Sequence, residues 1–157
     1  MIAFKAITDE NYMELIEMKE KEGFRYSTDF NFITDSLALA WLNRNKDNTF
    51  PFAIYQDETP VGFMMLAHNL ERRDLHLWRF ILSADHRGRG YGTQAVELLI
   101  RLARESEKYD HISLDCSPKS EAAVHIYRKT GFQPTGESSC GFDAYRLDLA
   151  VAGAPKI

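Results

Sequence analysis

The stretch that decides the fold is LSADHRGRGYGT, residues 82–93. It starts at the end of a predicted strand, passes through a loop with glycine at alternate positions, and enters an amphipathic helix. Gly88, Gly90 and Gly92 lack the Cβ atoms that would keep a ligand away from the backbone. Loop amides and the positive end of a helix dipole both attract anions. We therefore expect this loop to bind a pyrophosphate group.

The spacing of the glycines excludes two other phosphate-binding motifs. The chain contains no GxxxxGK[ST], the signature of P-loop proteins, and the loop does not match the GxGxxG fingerprint of dinucleotide-binding folds. In the phosphate-binding interpretation, Arg87 and Arg89 add positive charge to the loop. The alternative interpretation is a tight strand-to-helix turn that needs glycine for its own conformation.

Hydrophobic periodicity predicts the order strand, two helices, three strands, helix, strand, helix, two strands. This order indicates an α+β (α/β three-layer) domain around a mixed sheet. The helix before Gly131 is expected to be capped by Ser117, with Pro118 at its first position. The predicted elements lie at residues 2–7, 8–19, 34–44, 50–56, 61–68, 75–82, 90–106, 111–116, 117–130 and 144–149, with a short strand near 132 and turn residues to 141.

Length and composition are those of a folded globular protein. The 157 residues suit one domain over 1–157, and 45% of them are hydrophobic. No apolar run approaches the roughly 20 residues that span a bilayer, and no signal peptide is evident, so we expect a cytoplasmic protein. The net charge of −4 argues against nucleic-acid binding. Cys116 and Cys140 form neither a CxxC motif nor a disulfide framework, so no metal is expected.

A second motif, SEAAVHIYRKTGF at residues 120–132, gives the loop a family context. With RGRGYG at 87–92 it resembles the GCN5-related N-acetyltransferase (GNAT) superfamily, which carries [RQ]-x-x-G-x-[GA] and, downstream, N-x-x-A-x-x-x-Y-x-x-x-G-F. The resemblance implies a mostly antiparallel central sheet of about seven strands flanked by four helices. The matching residues are Arg87, Gly90 and Gly92 in the first pattern, and Ala123, Tyr127, Gly131 and Phe132 in the second.

The resemblance implies acetyl-CoA as co-substrate and a primary amine as acceptor. The family often has Asn where this chain has Ser120, and the shorter serine reaches less far toward the pantetheine arm. The implied cofactor-binding residues are Phe80, Ile81, Leu82, Arg87, Gly88, Arg89, Gly90, Tyr91, Gly92, Thr93, Ser120 and Tyr127. Relatives expose a backbone N–H near the end of the fourth strand, here within 80–82, which would stabilise the oxyanion.

Two side chains are candidates for proton transfer. His76 lies where many relatives place a glutamate base, and strand alternation would put it on one face with Trp78, Phe80 and Leu82. A β-bulge would reverse that register, and a partly buried histidine without a catalytic task is the alternative. Tyr127 occupies the position of the family's tyrosine and would protonate the leaving thiolate; its alternative is a core tyrosine.

The acceptor amine is indicated less specifically. WRFIL at 78–82 and GFQPTGE at 131–137 are similar to the bacterial polyamine (spermine/spermidine) acetyltransferases. A polyamine would need carboxylates and aromatic faces, for which the candidates are Glu20, Glu22, Asp29 and Trp78, with Asp35, Glu137 and Asp143 also available. A protein N-terminus, an amino acid or dipeptide, an aminoglycoside, or a non-catalytic acetyl-CoA-binding regulatory role are the alternatives. A homodimer is expected by resemblance.

Overall fold

The computed structural model describes residues 1–18 and 32–150, which form a seven-stranded sheet with four helices. The strand order is β1-β2-β3-β4-β5-β7-β6, and every neighbouring pair is antiparallel except β4–β5. The strands are β1 Ile2–Ala6, β2 Thr49–Gln56, β3 Thr59–Asn69, β4 Asp74–Leu82, β5 His111–Cys116, β6 Gln133–Ser139 and β7 Phe142–Asp148. The helices are α1 Tyr12–Ile16, α2 Phe32–Leu42, α3 Tyr91–Ser106 and α4 Glu121–Lys129. The predicted fold class is confirmed.

The sheet separates two apolar cores, so the molecule has three layers. Side chains alternate along a strand, and in β3 Met64 joins one core while Phe63 and Met65 join the other. The larger core contains the buried side of α3, for example Val96 and Leu99, together with Tyr127 of α4. The smaller core contains Leu15 of α1 and Ile33 of α2. We call these two sides of the sheet the α3 face and the α1 face.

Strand β4 changes register in its middle. Leu66 of β3 pairs with Leu77, whereas Met65 pairs with Arg79, so Trp78 is an extra residue without a partner on β3. This is the two-against-one pattern of a β-bulge. Leu77 packs in the core under α3, and so does Phe80 three residues later. The bulge therefore switches which residues of β4 face α3.

Strands β4 and β5 pair over only four residues each. The parallel ladder runs from Asp74 opposite His111 to Leu77 opposite Leu114. Beyond this point β4 continues to Leu82 along β3, while β5 continues to Cys116 along β7. In the described parts of the chain, the edge of β4 from Trp78 onward has no strand beside it. We call this opening the split.

The last third of the chain differs from the sequence prediction in two places. Helix α4 begins at Glu121 with Ser120 as its N-cap, so Ser117 and Pro118 do not start it. Instead, Ser117 and Ser120 close a turn, because the Ser120 N–H donates to the Ser117 carbonyl at 3.0 Å. Residues predicted as a long turn form β6 instead, which pairs with β7 at the edge of the sheet although all seven of its residues are exposed.

Helix α1 begins later than predicted and is shorter. Its N-cap is Asn11, because Thr8 and Asp9 form a turn in which the Thr8 carbonyl accepts from the amides of Asn11 and Tyr12. The last described residue after this helix is Met18, so the predicted extension to Lys19 lies partly outside the described residues.

Candidate active site

The glycine-rich loop joins the end of β4 to the start of α3, as the sequence predicts. Gly88 has φ +77° and Gly90 has φ +80°, both in the left-handed region that favours glycine. An added Cβ at Gly88 would have no neighbour within 4 Å, and one at Gly90 would meet only the Gln94 side chain, at 3.7 Å. Open space therefore adjoins the loop at both positions, which suits the close approach of a ligand.

The amides of the loop are available to a ligand. In the described residues, the N–H groups of residues 88–93 donate to no protein acceptor, and the first amide to do so is that of Gln94, which donates to the Gly90 carbonyl at 3.1 Å. Unpaired amides at the start of a 16-residue helix create positive potential. The first turn of any helix leaves its amides unpaired, and here the free N–H groups begin earlier, at Gly88 and Arg89 before the N-cap Gly90.

The two arginines of the loop differ in their surroundings. The Arg87 Nε–H donates to the Leu82 carbonyl at 3.1 Å and so ties the loop back to the end of β4. Arg89 is exposed. We infer that Arg87 shapes the loop as well as adding charge, while Arg89 is free to reach toward an anion.

Gly92 has a different environment from the other two glycines. It is buried, and an added Cβ would lie 2.7 Å from Ile126 Cδ1 and 3.1 Å from Leu82 Cδ1. The missing side chain thus makes room for packing between α3, α4 and β4, and not for a ligand as the sequence had suggested. Only its amide belongs to the run of free N–H groups at 88–93.

The free edge of β4 presents backbone groups to the split. Ser83 donates to the Val61 carbonyl at 2.8 Å, so Ser83 is bonded to β3. Bonded and non-bonded residues alternate in an antiparallel pair, so Ile81 also bonds to β3, while Phe80 and Leu82 point their N–H groups into the split. An extended ligand arm can pair with such an edge as an added strand does.

Tyr127 of α4 lies near Cys116, the residue that ends β5 on the other side of the split from β4. The residue is 6% exposed and packs in the core against the ring of Phe132, with centroids 5.7 Å apart. Burial raises the pKa of the Tyr127 phenol and the nearby Cys116 thiol raises it further, so the hydroxyl stays protonated at neutral pH. No protein group in the described ranges hydrogen-bonds this hydroxyl, which leaves it able to donate to a ligand.

Ser120 lies about two turns before Tyr127, at the N-cap of α4. Its side chain makes no capping hydrogen bond and is partly exposed. The hydroxyl is therefore available for a polar contact, as the resemblance implied for this position.

His76 does not share a face with Phe80 and Leu82, and that expectation is wrong. The bulge at Trp78 reverses the register, so His76 lies on the α1 face of the sheet. There its Nδ1 is 2.8 Å from Ser113 Oγ, and its Nε2 is 3.9 Å from Asp115 Oδ2. The side chain is 31% exposed, which is compatible with access by a substrate.

The neighbours of His76 were missed by sequence reasoning. Strand β5 reads HISLDC, in which Ile112 and Leu114 enter the core while His111, Ser113 and Asp115 alternate with them. The sequence predicted a strand at 111–116, but none of its polar residues had been a candidate for the site. Its polar alternation was the signal that one face of β5 could carry chemistry.

The acidic candidates for acceptor binding are only partly described. Glu20, Glu22 and Asp29 lie outside the described residues. Trp78 is 38% exposed at the bulge. Asp35 is bound to Arg79 at 2.6 Å. Among the remaining candidates, Asp143 accepts from Ser138 at 2.7 Å and Glu137 is exposed on β6.

Residues 9–132 match the acetyltransferase (GNAT) family. The chain belongs to this family. A structural relative is the spermidine N-acetyltransferase of Vibrio cholerae in complex with CoA and spermine, with a TM-score of 0.72, 14% identity, and 92% of both chains covered. At that identity the likeness shows the fold.

Curated relatives within the family differ in the amines that their names state. The peptidyl-lysine N-acetyltransferase YjaB of Escherichia coli (strain K12) is 31% identical over 65% of this chain and 63% of its own length. The spermine/spermidine N(1)-acetyltransferase of Bacillus subtilis (strain 168) is 22% identical over 87% of this chain and 90% of its own length. The chain spans about a third of some mammalian relatives, 36% in the case of N-acetyltransferase 8 of Rattus norvegicus.

None of the helices in the described ranges combines the length and the apolar character that a membrane crossing requires.

Proposed function

We propose that this protein transfers an acetyl group from acetyl-CoA to a primary amine in a ternary complex, and that its acceptor is a polyamine. The observation that carries the transferase assignment is the run of free amides at 88–93 beside the open edge of β4. The free amides suit the diphosphate of CoA, and the open edge of β4 suits its pantetheine arm. The family match supports the interpretation that both features belong to one acetyl-CoA site.

The residues of the site divide the reaction into three tasks. Acetyl-CoA supplies an activated thioester when bound. His76 accepts a proton from the ammonium group of the acceptor, whose pKa near 10.4 would otherwise keep it charged. The freed electron pair on nitrogen then forms the new bond to the acetyl carbon as the carbon–sulfur bond breaks.

The charges that develop in this step have donors in the split. In this proposal the N–H groups of Phe80 and Leu82 stabilise the carbonyl oxygen, and one such donor contributes roughly 3 kcal/mol to the transition state. Tyr127 gives its proton to the sulfur, and the second proton that the nitrogen loses on becoming an amide restores the Tyr127 phenol, while the proton taken by His76 leaves to solvent. The balance is one amide, one free thiol and one released proton.

Two relatives support a polyamine acceptor. The Vibrio cholerae structure contains spermine, and the Bacillus subtilis relative is named for spermine and spermidine. A second acceptor class, the lysine side chain of a protein, is favoured by the relative that is 31% identical over 65% of this chain. Both acceptors present a primary ammonium group on a flexible carbon chain, which is the chemistry that His76 serves.

A thiol-release assay with a panel of amines tests the proposal. The panel contains spermidine, spermine, a lysine peptide, a peptide with a free N-terminus, an amino acid, a dipeptide and an aminoglycoside. We expect the highest kcat/KM with spermidine or spermine. Preference for the lysine peptide would contradict the polyamine acceptor but not the acetyltransferase activity. Acetyl-CoA binding by calorimetry without thiol release from any amine would instead support a regulatory module.

The expected homodimer remains a prediction. Light scattering on the purified chain distinguishes one copy from two.

A further inference from the structure

Three side chains on the α1 face form a chain of hydrogen bonds that ends at His76. Strand pairing places Ser113 of β5 beside His76 of β4. The Ser113 hydroxyl donates to Asp74 Oδ2 at 2.9 Å, and the same Oγ lies 2.8 Å from His76 Nδ1. These contacts are part-buried, so water competes with them less than it would at an exposed site.

The direction of these bonds fixes where the histidine carries its proton. A hydroxyl has a single hydrogen, and a carboxylate only accepts. Because the hydrogen of Ser113 is committed to Asp74, its oxygen offers His76 only lone pairs. Nδ1 of His76 must then be the donor. In a neutral imidazole the other nitrogen, Nε2, carries the free lone pair.

We propose that Ser113 and Asp74 are positioning residues that hold His76 as the Nδ1–H tautomer, which leaves Nε2 to take the proton of the acceptor amine. Nε2 lies 3.9 Å from Oδ2 of Asp115, the residue after Leu114, where the pairing of β5 with β4 ends and the split begins. When the ammonium N–H bond breaks, its electron pair stays on the amine and the proton bonds to Nε2. The inference rests on the proposed function for its chemistry, but the tautomer itself does not.

The charged group that faces Nε2 is the Asp115 carboxylate, which at 3.9 Å lies beyond hydrogen-bond distance and so does not hold a proton on Nε2. The other charged groups around His76 are bound to partners of their own. His111 approaches the other oxygen of Asp74, with its Nε2 3.2 Å from Oδ1, so Oδ2 remains for Ser113. Arg146 of β7, paired with Ser113 in register, is bound to Asp148 at 2.9 Å. Arg79 of β4 is bound to Asp35. In residues 1–18 and 32–150, no three His, Cys, Asp or Glu side chains form a metal site.

Nitrogen NMR of the histidine side chains tests the tautomer without any substrate. Long-range ¹H–¹⁵N spectra show which ring nitrogen is protonated, and the His76 signals are assigned by their loss in His76→Gln. At a pH where the ring is neutral, we expect a protonated Nδ1 in the wild type. Asp74→Ala frees the Ser113 hydroxyl to donate to Nδ1 and should move the proton to Nε2. A protonated Nε2 in the wild type would overturn the proposal.

Steady-state kinetics test the consequence of the tautomer. We expect Ser113→Ala and Asp74→Ala to lower kcat by about 10- to 100-fold, part of the range typical of general-base catalysis, with KM for acetyl-CoA unchanged. Ser113→Thr keeps the hydroxyl and should restore the wild-type rate and tautomer. Asp148→Ala, on the same face but bound to Arg146, is the matched control and should alter neither.

The outcomes separate this inference from the proposed function. An altered tautomer with unchanged kcat in both alanine variants would overturn the positioning role. Failure of the wild type to acetylate any amine would contradict the proposed function, while the spectra would still report the tautomer.

Discussion

The two edges of β4 differ in how far they are paired with neighbouring strands. Along one edge, β3 pairs with β4 from Asp74 to Leu82, interrupted only by the bulge at Trp78. Along the other, β5 pairs as far as Leu77 and then turns away. A buried backbone group without a partner costs roughly 1–3 kcal/mol, so a ligand that pairs with the free edge recovers this cost. The difference shows that a sheet gains a binding site where one strand stops pairing with its neighbour.

The largest effect should come from removing one amide of the free edge. Phe80→Pro deletes an N–H that points into the split and leaves the bonds to β3 intact. We expect kcat to fall by about 100- to 1,000-fold, the usual cost of losing an oxyanion donor. Phe80→Ala is the matched control, since it also loses the ring but keeps the amide. Equal kcat in the two variants would show that the Phe80 amide does not take part.

Tyr127→Phe tests a side chain on the other side of the split from β4. The phenol is buried and its pKa is raised, so at neutral pH it offers a proton and not a charge. Its loss should lower kcat by about 100-fold, within the range for a general acid, while calorimetry should show nearly unchanged acetyl-CoA affinity. The Tyr127 ring packs against Phe132, and a phenylalanine ring can keep that contact, so thermal unfolding should change little. Wild-type turnover in the variant would remove Tyr127 from the mechanism.

The loop at the end of the free edge gives a smaller effect, with a built-in control. Gly88→Ala places a side chain at φ +77°, which costs about 1–2 kcal/mol unless the loop moves. Movement would turn the free amides away, so we expect about tenfold weaker CoA binding by calorimetry. Gly141→Ala creates the same strain at φ +82° in the turn before β7, also with open space around the added atom. It should lose similar stability and no CoA affinity.

The features that the sequence predicted are those set by local spacing. The alternate glycines, the start of α3 at Tyr91 and the placement of Tyr127 on a helix all follow from residues within a few positions of one another. The β-bulge at Trp78 does not, because it depends on how β4 meets β3. The face of His76 was predicted wrongly for that reason.

Two other differences arose where local signals competed. The segment SPKSEAA holds two serines that could cap a helix, and only the turn closed by Ser117 and Ser120 decides between them. Strand β6 has no apolar alternation at all and exists because β7 pairs with it. The contacts of Ser113 with His76 and Asp74 required the register of β5 against β4, which no single segment encodes.

The smallest expected effect is in the labelling of the two cysteines, which tests whether solvent reaches the split from the side of β5. Cys116, the last residue of β5, is 6% exposed beside Tyr127, and burial together with the nearby Asp143 raises its pKa to about 11. At pH 8 about one molecule in a thousand would carry the thiolate, the form that reacts. Cys140 is exposed in the turn between β6 and β7. We expect a disulfide reagent at pH 8 to label one thiol per chain and none in Cys140→Ser, with activity unchanged in that variant. Rapid labelling of Cys116 in the native protein would mean that solvent reaches the split from the α3 face. Water would then satisfy the backbone groups on the free edge of β4, and the two edges would differ less than the structure indicates.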